Sequence, residues 1–126
     1  MRSFIVAMGI LLVVLCAIFV SYFALQFLGK KNVENKKEVY SLVLTEDWNG
    51  AGMKFKGQRE SFEKHRKIYA ILIDHSEMDN IELALITAEE SIETANKHDS
   101  LDALSRGIFL FEHIEERNRF SFENVF

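Results

Sequence analysis

The sequence predicts an all-α protein, with an N-terminal transmembrane helix followed by a small antiparallel three- or four-helix bundle. Three observations predict this fold class. A run of 25 residues from Phe4 to Leu28 contains no charged residue. The chain contains no proline, which favours long uninterrupted helices. Beyond the run, apolar residues recur at helical spacing. We therefore divide the chain into an anchor, residues 1–29, and a helical bundle domain, residues 30–126, with a juxtamembrane stalk over 30–48.

The apolar run allows three interpretations. A helix needs about 20 apolar residues to cross a bilayer, and this run is long enough. A cleaved signal peptide has a shorter apolar region and a small-x-small cleavage site, which is not evident here. A lipoprotein signal would place a small residue before Cys16, where Leu15 stands. We favour an uncleaved anchor, which makes this a single-pass protein of the cell membrane.

The side of the membrane on which the domain lies stays open. The positive-inside rule weighs Arg2 against Lys30, Lys31, Lys36 and Lys37, and this count places the domain in the cytoplasm. A short N-terminus with one arginine is instead the usual form of a signal anchor, which exports the domain.

The charge of the domain excludes one class of partner. Arg2 is the only charged residue before Lys30. The domain therefore carries all 19 acidic residues and every lysine and arginine except Arg2, out of 15 in the chain. Its net charge is negative, and nucleic acid requires a basic surface. We expect no nucleic-acid partner.

Four helical segments follow the apolar run. We expect them over residues 30–48, 53–74, 76–97 and 99–118, with the glycine-containing stretch 49–52 as a break. Ser76 is the expected N-cap of the third segment. The second segment is basic and the third acidic, so we expect them to pack as an antiparallel hairpin around the seam formed by Ile81, Leu85, Ala88, Ile92 and Ala95.

The end of the chain carries four apolar side chains: Phe120, Phe122, Val125 and Phe126. We expect this tail to fold back over the bundle and cover Trp48 or the region near Ile108 and Phe111. The alternative is that the tail docks into a partner protein.

The sequence contains no catalytic motif. A His-Glu-x-x-His zinc motif, a phosphate-binding glycine loop and the Glu-x-x-His motif of di-iron bundles are all absent. We expect neither enzymatic activity nor a cofactor. The densest polar cluster, residues 74–79, includes His75, Glu77 and Asp79, whose side chains could bind a metal. The plainer interpretation is a turn between helices with an N-cap.

These residues carry a resemblance to a family. An N-terminal span, Trp48, the stretch from Ile73 to Asp79, the seam and the ending Glu123-Asn124-Val125-Phe126 together resemble the DUF4363 family, small single-span proteins of Gram-positive spore-forming bacteria. The resemblance implies the fold and the anchoring but no activity. The candidate interaction or ligand positions are Trp48, His75, Glu77, Asp79, Asn124 and Phe126. The resemblance adds weight to four of them: Trp48, His75, Glu77 and Asn124.

Two functions are therefore in competition. The leading hypothesis is a membrane-anchored helical interaction or accessory module, whose partners are the lipid bilayer and another membrane protein; a homo-oligomer is also open. The alternative is a ligand- or ion-sensing helical domain that uses the cluster around His75.

Overall fold

The computed structural model describes residues 1–125 of the chain. These residues form five α-helices and no β-strand, so the prediction of an all-helical protein is confirmed. The helices are α1 (Arg2–Leu44), α2 (Trp48–Lys64), α3 (Arg66–Leu72), α4 (His75–Glu93) and α5 (Lys97–Val125).

The first helix joins two stretches of different character. It has 43 residues, which makes it about 65 Å long, and it runs without interruption from the apolar run into the expected stalk. Side chains up to Val20 are mostly exposed, whereas Leu25, Leu28 and Val33 are buried in the core. The helix is long and apolar enough to cross a membrane, a criterion that a signal sequence also meets. The proposed boundary at residue 29 stays a prediction.

The break after α1 lies earlier than the glycine-containing stretch, so that expectation was wrong. Thr45 to Asp47 make the turn, and Glu46 has a positive φ of 59°. The Asp47 carboxylate caps α2 by accepting a hydrogen bond of 3.0 Å from the Gly50 backbone N–H. A Cβ on Gly50 would lie 2.5 Å from Asp47 Oδ2. The glycine therefore belongs to the first turn of α2, where it makes room for the cap.

Two other helix boundaries differ from the expectation. The segment 53–74 forms two helices, which meet at His65. The N-cap of α4 is Asp74 and not Ser76, because the Asp74 carboxylate accepts hydrogen bonds from the His75 backbone N–H at 2.9 Å and from Ser76 Oγ at 2.8 Å. Serine thus supports the cap and does not form it.

The helices pack around one hydrophobic core. The two main neighbours of α1 are α5 and α2, and α4 contacts α5, α2 and α3. Arg59 pairs with Glu89, and Arg66 pairs with Glu82. The later arginine thus contacts the earlier glutamate, which means that α4 runs antiparallel to α2 and α3. This is the antiparallel contact expected between the basic and acidic segments. Within the expected seam, Ile81, Leu85, Ala88 and Ile92 are buried, whereas Ala95 lies beyond the end of α4 and is exposed.

Residues 119–125 do not fold back over the bundle, so that expectation was wrong for the part of the tail that the structure describes. α5 continues as a helix to Val125. The Phe122 ring stacks on Tyr22, with ring centroids 4.0 Å apart, and meets the Phe19 ring edge-on at 5.4 Å. Because α5 runs antiparallel along α1, its last turns reach the apolar part of α1 without any turn in the chain. Phe126 lies outside the described residues.

Candidate functional site

A layer of polar side chains lies where α1 meets α2 and α3: Asn32, Lys36 and Tyr69 are buried there, and Gln58 and Arg59 are half-buried. We call it the buried polar layer and define it as Asn32, Lys36, Gln58, Arg59 and Tyr69. All five residues lie on α1, α2 or α3, whose apolar side chains form part of the core. Packing of these helices therefore also places the five polar side chains between them. None of these five residues was predicted to belong to a site.

The Asn32–Tyr69 pair forms the end of the layer nearest the apolar part of α1. Asn32 Nδ2 donates hydrogen bonds to the Leu28 carbonyl at 2.9 Å and to the Tyr69 hydroxyl oxygen at 2.8 Å. Tyr69 is completely buried. Burial raises the pKa of the Tyr69 hydroxyl, and the hydrogen bond from Asn32 partly opposes this rise. The phenol therefore stays neutral and fixes α3 against α1.

Lys36 is the most unusual member of the layer, because its side chain is only 1% exposed. Its Nζ donates a hydrogen bond of 3.1 Å to Gln58 Oε1 and lies 5.4 Å from the centroid of the Phe55 ring. Gln58 is held in turn by donating to the Asn35 carbonyl at 2.8 Å. Burial, and then the charge of Arg59, lower the pKa of Lys36 to about 8. The amine therefore loses its proton more easily than that of an exposed lysine.

Arg59 adds a second positive charge at the edge of the layer. Its Nε lies 3.5 Å from Glu89 Oε2. Its Nη1 is buried and, within residues 1–125, has no hydrogen-bond partner. Glu89, which pairs with Arg59, is half-buried, and Lys36 forms no ion pair within residues 1–125. A buried polar layer of this kind favours one relative register of the helices, because any slip would leave its groups without partners.

The cluster around His75 does not converge on a common point. The Asp74 carboxylate is occupied by the N-cap hydrogen bonds, and the Ser76 hydrogen bond followed by that of the His75 backbone lowers its pKa. Glu77 forms an ion pair with Arg117 of α5. His75 and Asp79 are exposed. Among residues 1–125, no group of three or more His, Cys, Asp or Glu side chains is arranged to hold a metal ion. The ion-sensing hypothesis stays a prediction.

Among the remaining candidate positions, Trp48 and Asn124 lie on different helices. Trp48 is the first residue of α2, where its half-buried ring packs against the core. Asn124 lies exposed near the end of α5, and Phe126 is outside the described residues. The structure therefore brings Glu77 together with Arg117 but does not gather the candidate positions into one site.

A groove of about 430 Å³ lies between the apolar part of α1 and the end of α5. Its lining is mostly apolar and includes Val14, Ala17, Ile18, Phe122 and Val125. Hydrogen bonds from Gln26 Nε2 to the Glu115 carbonyl and from Asn118 Nδ2 to the Tyr22 carbonyl, both of 3.3 Å, hold the two helices together beside it. The four apolar residues in the tail were the sequence signal for this contact, although they did not reveal where it lies.

The chain was compared with protein families, curated proteins and solved structures. The family described as "Domain of unknown function (DUF4363)" matches residues 19–125. The matched part includes all of α5 together with the residues of α1 that Phe122 contacts. No curated protein and no solved structure matches the chain significantly.

Proposed function

The chain belongs to the DUF4363 family, and we propose that it is a membrane-anchored helical module, without catalytic activity, that binds another membrane protein in an accessory role. In this proposal the apolar part of α1 crosses the cell membrane once. The remaining helices form an antiparallel bundle at the membrane surface. A second copy of the chain is a further candidate partner.

The exposure of the first half of α1 is the observation that carries the proposal. Phe4 is 66% exposed, Val13 67% and Val20 69%. None of the most apolar 18-residue window is buried inside the protein. A soluble protein buries such a run, because exposing large contiguous apolar patches to water is unfavourable. A lipid environment accounts for the exposure.

The second half of α1 supports anchoring over cleavage. Signal peptides are removed after about 15–30 residues. Cleavage near the end of the apolar run would remove Leu25 and Leu28, which are buried in the core and only 4% and 7% exposed. A core that depends on these side chains favours a chain that keeps its first helix.

The surface of the bundle supports binding of a protein partner. Phe109 is 64% exposed and lies beside a groove of about 430 Å³ that Tyr40 and Ile108 also line. Exposed aromatic rings next to grooves are common anchors in protein interfaces. We use Phe109 as the test position, with Ile71, which is 81% exposed on α3, as the matched surface control.

Two measurements test the proposal. Carbonate extraction of membranes, followed by intact mass, should recover the full chain in the membrane pellet. A soluble species that lacks the first helix would overturn the anchor. Mild crosslinking and purification from membranes should then recover a second membrane protein or a homo-oligomer, and Phe109→Ser should reduce this recovery more than Ile71→Ser. Recovery of the chain alone, under conditions that preserve other membrane complexes, would contradict the accessory role.

A further inference from the structure

The end of α5 extends alongside the part of α1 that is to cross the membrane. Contacts between the two helices follow an antiparallel register: Glu115 meets Gln26, Asn118 meets Tyr22, and Phe122 meets Phe19. In this register Val125 is the last described residue of α5, and it lines the groove together with Val14. Residues 119–125, which we call the terminal turns, therefore lie beside residues 14–22.

This position conflicts with a complete crossing by α1. About 20 residues are needed to cross the hydrocarbon layer, and a window that begins at Phe4 ends near Phe23. By the register above, Glu123 lies level with Ile18, which is about 7 Å inside that boundary. Arg119, Glu123 and Asn124 are exposed, so they would face lipid. Charged side chains at such depth are costly unless they are paired or reach the interface.

Shifting the window does not remove the conflict. If the hydrocarbon layer stopped short of the terminal turns, only about ten residues of α1, from Phe4 to Val13, would remain inside it. A helix of that length covers about 15 Å, half of a typical hydrocarbon layer. A full crossing is therefore more favourable when the terminal turns move away from α1.

The composition of the terminal turns suits the headgroup layer. Phe120 is 66% exposed and Val125 68% exposed, and they lie in the same two turns as Arg119 and Glu123. Aromatic residues together with basic ones are characteristic of segments at the membrane interface, where the rings reach the acyl boundary and arginine meets phosphate. The last turn of a helix also opens more easily than its interior.

We propose that, when α1 crosses a bilayer, residues 119–125 leave the groove on α1 and lie in the lipid headgroup layer. This inference rests on the membrane anchoring proposed above. The vacated face of α1, which includes Val14 and Ile18, then contacts acyl chains. The terminal turns become a second membrane attachment, at the surface, for the C-terminal end of α5.

Depth-dependent fluorescence quenching tests this proposal. Trp48 is the only tryptophan, so a Trp48→Phe background leaves no other reporter. Val14→Trp and Val125→Trp are matched, because both valines line the same groove and both are substantially exposed, at 47% and 68%. Each full-length variant is reconstituted into vesicles of phosphatidylcholine and phosphatidylglycerol. The lipids carry bromine either near the headgroup or near the methyl end of the acyl chain.

The expected result is a difference between the two reporters. Val14→Trp should lose most fluorescence with bromines near the methyl end, whereas Val125→Trp should lose most with bromines near the headgroup. Equal deep quenching of both would leave the anchor standing but overturn the release of the terminal turns. Deep quenching at position 14 with none at position 125 would also overturn it, since the segment would then be in water or covered by protein. No quenching at position 14 would overturn the anchor and this inference together.

Discussion

In the first half of α1, residues 4–20, phenylalanine and leucine side chains are exposed, whereas in its second half, residues 25–43, a lysine and an asparagine are buried. Phe4 is 66% exposed and Lys36 only 1%. One continuous helix thus reverses the usual placement of apolar and polar residues along its length. Exposure along this helix therefore follows the neighbours of each half. Only the end of α5 lies beside the first half, whereas α2, α3 and the rest of α5 surround the second.

The largest expected effect comes from placing a charge in the buried half. Val43 is completely buried, so Val43→Asp leaves a carboxylate without a partner in the core. Such a change costs about 3–5 kcal/mol of the free energy of unfolding. Denaturation of the full chain in detergent micelles, followed by far-ultraviolet circular dichroism, measures this loss.

Val13→Asp is the matched control in the exposed half, because Val13 is 67% exposed. It should leave the free energy of unfolding of the bundle nearly unchanged. It should lower the fraction of the protein that stays in the membrane pellet after carbonate extraction, because an acidic residue in the middle of the membrane costs about 2.5–3.5 kcal/mol. If Val13→Asp destabilised the bundle as much as Val43→Asp does, the two halves would not differ as described.

The next effect concerns the buried amine of Lys36. Its folded pKa, about 8, lies below the ordinary value of 10.5, so the unfolded chain binds more protons between these two pH values. The free energy of unfolding should therefore rise as the pH increases from 7 to 10.5, by on the order of 3 kcal/mol from this group. Lys36→Met should remove this rise.

Lys37→Met is the control for that measurement, because Lys37 is the next lysine along the helix and its side chain is exposed, with Nζ 3.9 Å from Glu112 Oε1. It should keep the rise in stability with pH, which is followed by denaturant titration at several pH values. A Lys36→Met variant with the same dependence on pH as the native chain would show that the amine is not shielded from water.

The smallest effect is expected at the cluster around His75. Glu77, whose side chain is 15% exposed, pairs with Arg117, whose side chain is 50% exposed and keeps this pair in contact with water. Glu77→Gln should cost no more than about 1 kcal/mol in the free energy of unfolding. Asp79→Asn, at an exposed position on the same helix, controls for the loss of a negative charge near the start of α4. If Glu77→Gln lowered the free energy of unfolding as much as Val43→Asp does, the Glu77–Arg117 pair would be as important to the core as the buried residues of α1.

Much of the fold could be predicted from local patterns. The apolar run, the lack of proline and the helical spacing predicted an all-helical chain with one long N-terminal helix. The spacing of Ile81, Leu85 and Ile92 predicted a buried face. Such features depend on residues within a few turns of one another, and a helix places those residues on one side whatever surrounds it.

The sequence could not reveal the buried polar layer. Lys36 follows Lys30 and Lys31 in one polar stretch and directly precedes Lys37, and no local pattern separates it from them. Its burial results from Phe55 and Gln58 on another helix. The cluster around His75 shows the opposite case, since residues adjacent in sequence point to different partners once the α4 cap forms.

The sequence by itself determined which segments are helical and which stretch is suited to lipid, because both follow from side-chain chemistry repeated at helical spacing. Only the tertiary structure decided that Lys36 is buried and that α5 reaches Phe19 and Tyr22. These features depend on contacts between residues up to about 100 positions apart, such as Phe122 with Phe19. The packing of whole helices, and no local preference, sets such contacts.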